Sequence, residues 1–269
     1  MEKFMGLWTR EHLITIFPTF AILLILAFLM RKLLIKKSYK IRMLPIKIIS
    51  VILVIIEIGK QAYSISIGYN LFHIPLHFCS IFLYVLPLFA FYRGKRQESV
   101  RSVASAAMTA LLIGMLAIPN VIYSANRIPT FFTDFLSFHT VFFHNLVIFA
   151  LFLTLALDLH KPNGERGEVV FVTVFGAVYA VIAASASYLL QTNYSNFLNS
   201  SIGFVAYITE SMTLAIGETA TKIIYTSAIA LLHILLLVVT YYAYMALCIA
   251  KEKCLTRLSY DHKKTQWHR

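Results

Sequence analysis

Long apolar runs, interrupted by short polar or basic segments, repeat along this chain. Each holds about 20 residues, enough for a helix to cross a ~30 Å hydrocarbon core. The pattern predicts seven spans, near 13–35, 45–67, 71–92, 101–123, 132–157, 169–191 and 222–249. The expected fold is all-α, a polytopic membrane protein whose seven-transmembrane-helix bundle fills residues 1–250, with a basic tail over 251–269. The run at 101–123 is the least apolar and is rich in Ser, Ala and Gly. Small side chains let helices approach closely, which places it at the centre of the bundle. The segment 201–217 is moderately apolar but carries Glu210, and is expected to lie along the interface or re-enter.

Composition agrees with the pattern. Of 269 residues, 59% are hydrophobic and only 13% charged, about half the charge of an average soluble domain. Mean hydropathy is +0.75. A formal charge of +12 would suggest nucleic acid in a soluble protein. Here the basic residues sort by topology, so no nucleic-acid partner is expected. Nineteen of the 24 Lys and Arg fall in 31–47, 93–101, 158–168 and the tail after 250. Lys3, Arg10, Arg127 and Lys222 fall on the other side, and Lys60 within a span. The basic side is expected to be cytoplasmic, facing anionic headgroups, with the N-terminus outside and the C-terminus inside a cell membrane. The sequence sets no oligomeric state.

Polar residues inside the runs mark the candidate site, because an ionisable group in hydrocarbon is costly unless it faces the bundle interior or a wet cavity. Span two carries Glu57, Lys60, Gln61 and Ser64, with Glu57 and Lys60 three apart and able to pair. On a helical span three, His73, His77, Ser80 and Tyr84 share one stripe and Cys79 points away. Span five presents Asp134, Ser137, His144 and Asn145 on one broad face, with His139 directed elsewhere. His139 and His233 read as helix-packing groups. These positions cluster toward the outer side, and the cytoplasmic half looks nearly featureless. The expectation is a polar cavity at outer-leaflet depth.

The chemistry open to these groups is limited. His73 and His77, with His144, Asp134 or Glu57, would offer metal donors. No Glu stands beside a histidine in a metallopeptidase pattern, and no metal or cofactor is expected. Cys79, Cys248 and Cys254 show no metal-ribbon or redox spacing. No phosphate-binding glycine loop or dinucleotide motif occurs.

Three segments carry a resemblance: IPLHFCS at 74–80, FFHN at 142–145 and TNYSNFL at 192–198. In order and spacing they resemble the YwaF-like family of bacterial multi-span membrane proteins, which is distantly similar to an animal transmembrane phospholipid acyltransferase family. The resemblance implies a seven-helix bundle with a site between spans three and five, and acyl transfer as a candidate activity. It carries over His77 and, within the bacterial family, His144. The animal pattern has Cys immediately before the motif His; this chain has Leu76 there, so no cysteine acyl-enzyme carries over directly. The resulting expectation is a lipid-modifying enzyme, an acyltransferase or ester hydrolase acting on membrane phospholipids. His77 would be the general base. His144 with Asn145 would orient the ester or stabilise the oxyanion, and Ser80 or Cys79 would be the nucleophile unless the acceptor is activated directly. His73, Tyr84, Asp134, Glu57, Lys60, Asn193 and Tyr194 would bind substrate. The alternative is a proton-coupled transporter or lipid-binding module using Glu57, Lys60 and the histidines.

Overall fold

The computed structural model describes residues 8–118, 122–123, 127–200 and 203–266, excluding the side chains of Glu11 and of 255–266. Lys3, Arg269 and the side chains of Arg257, Lys263 and Lys264, counted above in the charge balance, lie outside the described set. The described residues form helices and connecting turns, with no strand among them. The helices are α1 (Arg10–Leu34), a one-turn α2 (Tyr39–Arg42), α3 (Leu44–Ser66), α4 (Phe82–Phe91), α5 (Gln97–Ala117), α6 (Phe135–Ala156), α7 (Arg166–Leu190), α8 (Gly203–Ile216) and α9 (Glu218–Gln266). Five of them are long and apolar enough to cross a membrane: α1, α5, α6, α7 and the Glu218–Cys254 part of α9. α3 has 23 residues and a Pro at its first turn, where the missing N–H is no loss.

Helix α5 is the axis of the bundle and packs against α4, α6, α7 and α9. About two-thirds of it (67%) is buried, against 17% for α1. Its Ser, Ala and Met side chains let four neighbours approach at once. α7 and α9 close against each other at Gly176, where an added Cβ would sit 3.3 Å from Ile234 Cα. α1 and α3 flank α6, and α8 packs on α9. With 14 residues, α8 spans only about 21 Å at 1.5 Å per residue, and none of its side chains is buried.

The third apolar run departs from expectation. Helix α4 begins at Phe82, not near residue 71. Residues 71–81 form two short 3-10 turns, Leu71–His73 and Phe78–Ile81, joined by extended backbone at Ile74 (φ −59°, ψ 132°) and His77 (φ −67°, ψ 153°). Pro75 is the cause: its ring disfavours helical backbone in the residue before it. Asn70 starts the first turn by accepting the Phe72 N–H at 2.9 Å.

The basic end of the bundle is not featureless. Three cations cap the C-terminus of α6, where carbonyls lack intrahelical donors. Arg31 donates to Ala156 O, Arg42 to Leu157 O at 2.6 Å and Lys251 to Leu155 O at 2.8 Å. Arg31 and Lys251 also pair with Asp158. Beside them, buried His160 lies 3.1 Å from the Glu98 carboxylate and 3.0 Å from Ser102 Oγ, and Tyr244 donates to its carbonyl at 3.0 Å. Arg31, Arg42, Asp158 and His160 sit at helix ends or in connections, so a search for polar residues within apolar runs passes over them.

Candidate functional site

At the opposite end, α3, α6 and the non-helical 71–81 segment enclose a polar cavity of about 350 Å³. Its walls include Glu57, Lys60, His73, His77, Cys79, Ser80, Asp134, His139 and His144. Imidazoles from two separate chain segments therefore share one chamber.

Helix α3 organises one wall. Lys60 pairs with Glu57 at 2.6 Å, both largely buried. Gln61 donates to Glu57 at 2.7 Å and to His73 O at 2.8 Å. Ser64 Oγ lies 2.5 Å from His73 Nδ1. A polar face of one helix thus holds a segment that lacks a continuous α-helical hydrogen-bond ladder of its own.

Helix α6 forms the facing wall. Asp134 caps it, accepting the Ser137 N–H at 2.7 Å. His139 lines the cavity, contrary to the sequence reading. Its Nε2 lies 3.0 Å from Glu57 Oε2, at ion-pair distance but off the line of a hydrogen bond. The packing of α3 on α6 turns a wider face inward than a single stripe. His144 is 5% exposed. Its Nδ1 lies 2.5 Å from Thr140 O; a carbonyl only accepts, so Nδ1 carries the proton. Nε2 is then a bare lone pair. It is buried and has no hydrogen-bond partner.

His77 differs. Its Nε2 donates to Phe72 O at 3.1 Å, and its Nδ1 accepts from the Ser195 N–H at 3.5 Å. Both ring nitrogens are engaged by backbone, so no lone pair is open for taking a proton. His77 therefore has a different hydrogen-bond environment from His144.

Cys79 also lines the cavity, although a helical stripe directs it away. The stripe assumes 100° per residue, whereas 78–81 is a 3-10 turn with about three residues per turn. Ser80 is buried beside it. Tyr84 leaves the group for the same reason. It is 51% exposed and lines an apolar cleft of about 340 Å³ between α4 and α7, which touches the cavity at His77. Asn145 also lies apart. It accepts from the Tyr123 hydroxyl at 2.7 Å and donates to Val141 O at 2.8 Å. It lines an apolar groove of about 440 Å³ between α1 and α6. The groove and the cavity share a wall, since Ile122, Arg127 and Thr140 face one while Tyr123, Ile128 and Val141 face the other.

Asn193 and Tyr194 are not among the residues that line the cavity. Asn193 closes a turn onto Asn199, donating to Asn199 Oδ1 at 2.8 Å. Tyr194 is fully buried. Its ring meets the His77 ring edge-on at 5.3 Å, and its hydroxyl donates to Leu71 O at 2.6 Å. Arg127, His139 and Thr140 were missed as cavity groups. Arg127 lies in a connection between helices, where hydropathy gives no signal. Among the described residues, no three His, Cys, Asp or Glu side chains converge as metal ligands.

A helical bundle with five helices able to cross a bilayer, enclosing charged side chains at one end, is a polytopic membrane protein. Within that class the match is specific: residues 7–238 fit the model of the TMEM164 family, and the chain belongs to that family. No curated protein and no solved structure matches it.

Proposed function

We propose that this protein is a lipid-modifying enzyme of the cell membrane, transferring or hydrolysing a phospholipid acyl ester, with His144 as its base. The observation that carries this reading is the unpartnered Nε2 of His144, buried in a cavity that also holds Cys79 and Ser80. A neutral imidazole fixed as one tautomer, its other nitrogen unpartnered and the residue lining a polar chamber, is the arrangement a general base needs. The apolar groove against the same wall suits an acyl chain, and the charged pair Glu57–Lys60 suits a polar head. The resemblance to the YwaF-like and animal acyltransferase families points the same way.

In this reading His144 Nε2 takes the proton of the attacking hydroxyl or thiol. The attacking atom bonds to the ester carbonyl carbon, the bond from that carbon to the donor's oxygen breaks, and the imidazolium returns its proton to the leaving oxygen. The attacking group is the acceptor's own hydroxyl or a water, or else Ser80 or Cys79. In the latter case acceptor hydroxyl or water then attacks the acyl carbon, the bond to Oγ or Sγ breaks, and His144 passes the attacker's proton back to that atom. We place the cavity in the outer leaflet, with α3 and the 78–91 segment completing seven spans. The N-terminus is outside and the basic end cytoplasmic against anionic headgroups, following the Lys and Arg distribution.

The network of Glu57, Lys60 and His139 favours a second reading, a proton-coupled carrier or lipid-binding module. Along α3 away from the cavity, Leu53, Ile49 and Ile46 are buried and apolar, and the buried Ser50 among them donates its hydroxyl to Ile46 O. Both readings meet one experiment: the purified protein in vesicles containing acyl-labelled phospholipid and varied acceptors. Label moving to acceptor or water supports the enzyme. Absence of movement with every acceptor, together with substrate flux that collapses with the proton gradient, supports the carrier.

A further inference from the structure

The α7–α8 connection carries two consecutive non-glycine residues in left-handed backbone, Ser195 (φ 49°) and Asn196 (φ 66°). Such conformations cost energy, and persist where surrounding contacts over-determine them. Here the contacts converge on the His77 segment. Ser195 Oγ accepts the Phe78 N–H at 2.7 Å and lies 2.5 Å from the Tyr179 hydroxyl. Tyr179 also donates to Leu76 O at 3.2 Å. Tyr225, from α9, donates to Asn196 O at 2.7 Å. The flanking Tyr194 and Phe197 are both fully buried, so the turn is pinned on either side.

One consequence concerns a single proton. With Oγ held between Phe78 and Tyr179, the Ser195 N–H is aimed at Nδ1 of His77. A backbone N–H only donates, so that nitrogen must present its lone pair. The ring proton is left on Nε2, which meets the Phe72 carbonyl. Phe78 and His77 thus hang from one serine that neither enters the cavity nor carries a charge, and Leu76 hangs from the tyrosine that serine bridges to.

We propose that Ser195 is a positioning residue of the cavity: its hydroxyl bridge locks the left-handed turn, and its N–H fixes His77 as the Nε2-protonated tautomer. The functional meaning rests on the lipid-enzyme reading; the tautomer itself does not. Once fixed, His77 presents a constant, non-basic edge beside the reacting groups, and the choice of base falls to His144.

The test is nitrogen NMR of selectively labelled histidine in lipid bilayers, with His77 assigned by its loss in His77→Gln. In the wild type, the pyridine-type resonance should belong to Nδ1 and the pyrrole-type to Nε2. Ser195→Ala keeps the N–H but loses the bridge, and should split the His77 signal between both tautomers, with about half the pyridine-type intensity moving to Nε2. Tyr179→Phe removes one arm only and should shift the population the same way by less. It also serves if Ser195→Ala fails to fold. A pyrrole-type Nδ1 in the wild type overturns the proposal. So does an unchanged His77 spectrum in Tyr179→Phe and in any Ser195→Ala protein that folds. Label transfer in vesicles, measured on the same samples, separates the two ideas. Transfer with unaltered tautomers defeats the positioning role alone, and the expected tautomers without transfer defeat the enzyme reading alone.

Discussion

His144 and Thr140, one turn apart on α6, are joined at 2.5 Å between the imidazole Nδ1 and the backbone carbonyl. That bond fixes which nitrogen is protonated, and so leaves Nε2 as a lone pair in a buried polar chamber. His77, in the same chamber, has both nitrogens committed to backbone. Two histidines that look alike in sequence are thereby given different chemistry.

The first prediction follows directly. His144→Ala should lower acyl-label turnover in vesicles by roughly 10²–10⁴-fold, the usual contribution of a general base, with the helical circular-dichroism signal retained. His77→Ala should cost less. Equal losses from the two variants would remove the distinction drawn here.

Glu57 meets Lys60 on its own helix and His139 on α6, with both carboxylate oxygens occupied. Glu57→Ala leaves Lys60 as an uncompensated buried charge and should destabilise by about 3–5 kcal/mol. Adding Lys60→Met should recover much of that loss. Thermal unfolding in detergent measures both, and a double variant no more stable than the single one would show that the charge is not the cause.

Gly176 sets the approach of α7 to α9, with an added Cβ 3.2 Å from Leu237 and 3.3 Å from the Ile234 backbone. Gly176→Val should lower stability by about 1–3 kcal/mol through overpacking. Gly114, which has open space around it, is the control: Gly114→Ala should be neutral or slightly stabilising, as expected inside a helix. Melting temperatures of the two variants decide it.

Burial alone would push the Asp158 carboxyl up, but its bonds with Lys251 and Arg31 outweigh this and hold it below the ordinary aspartate range. A carboxylate depressed in the folded state contributes stability above its unfolded pKa of about 4. That contribution is lost as pH falls through the lower folded value. The wild type should therefore lose melting temperature on acidification through this window more steeply than Asp158→Asn. Parallel curves for the two proteins would place the acid sensitivity elsewhere.

Part of the cavity's lining stands out in the sequence, and the wrong placements have physical causes. Glu57, Lys60, His73, His77, Asp134 and His144 stand out in sequence because charge and imidazole are rare in apolar runs, and all six line one cavity. The proximity of Glu57 and Lys60 follows from helical spacing alone. Cys79, His139, Tyr84 and Asn145 were misplaced because each placement relied on a helical stripe. At 71–81 the helix does not exist, since Pro75 holds the preceding residue extended. At His139 the partner lies on α3, which no periodicity within α6 can report. Ser102 and His160 were passed over because they are 58 residues apart and meet only where loops close the basic end.

The sequence by itself determined that this chain folds as apolar helices, where its charges gather, and which rare polar residues must be sheltered. Those properties follow from local composition and from the cost of exposing backbone and charge to hydrocarbon. The tertiary structure alone decided which side chains meet across helices, that the Ser195 N–H engages Nδ1 of His77, and that a strained turn near residue 195 grips the segment around that histidine. Those outcomes depend on contacts between distant segments, and such contacts leave no periodic trace along the chain.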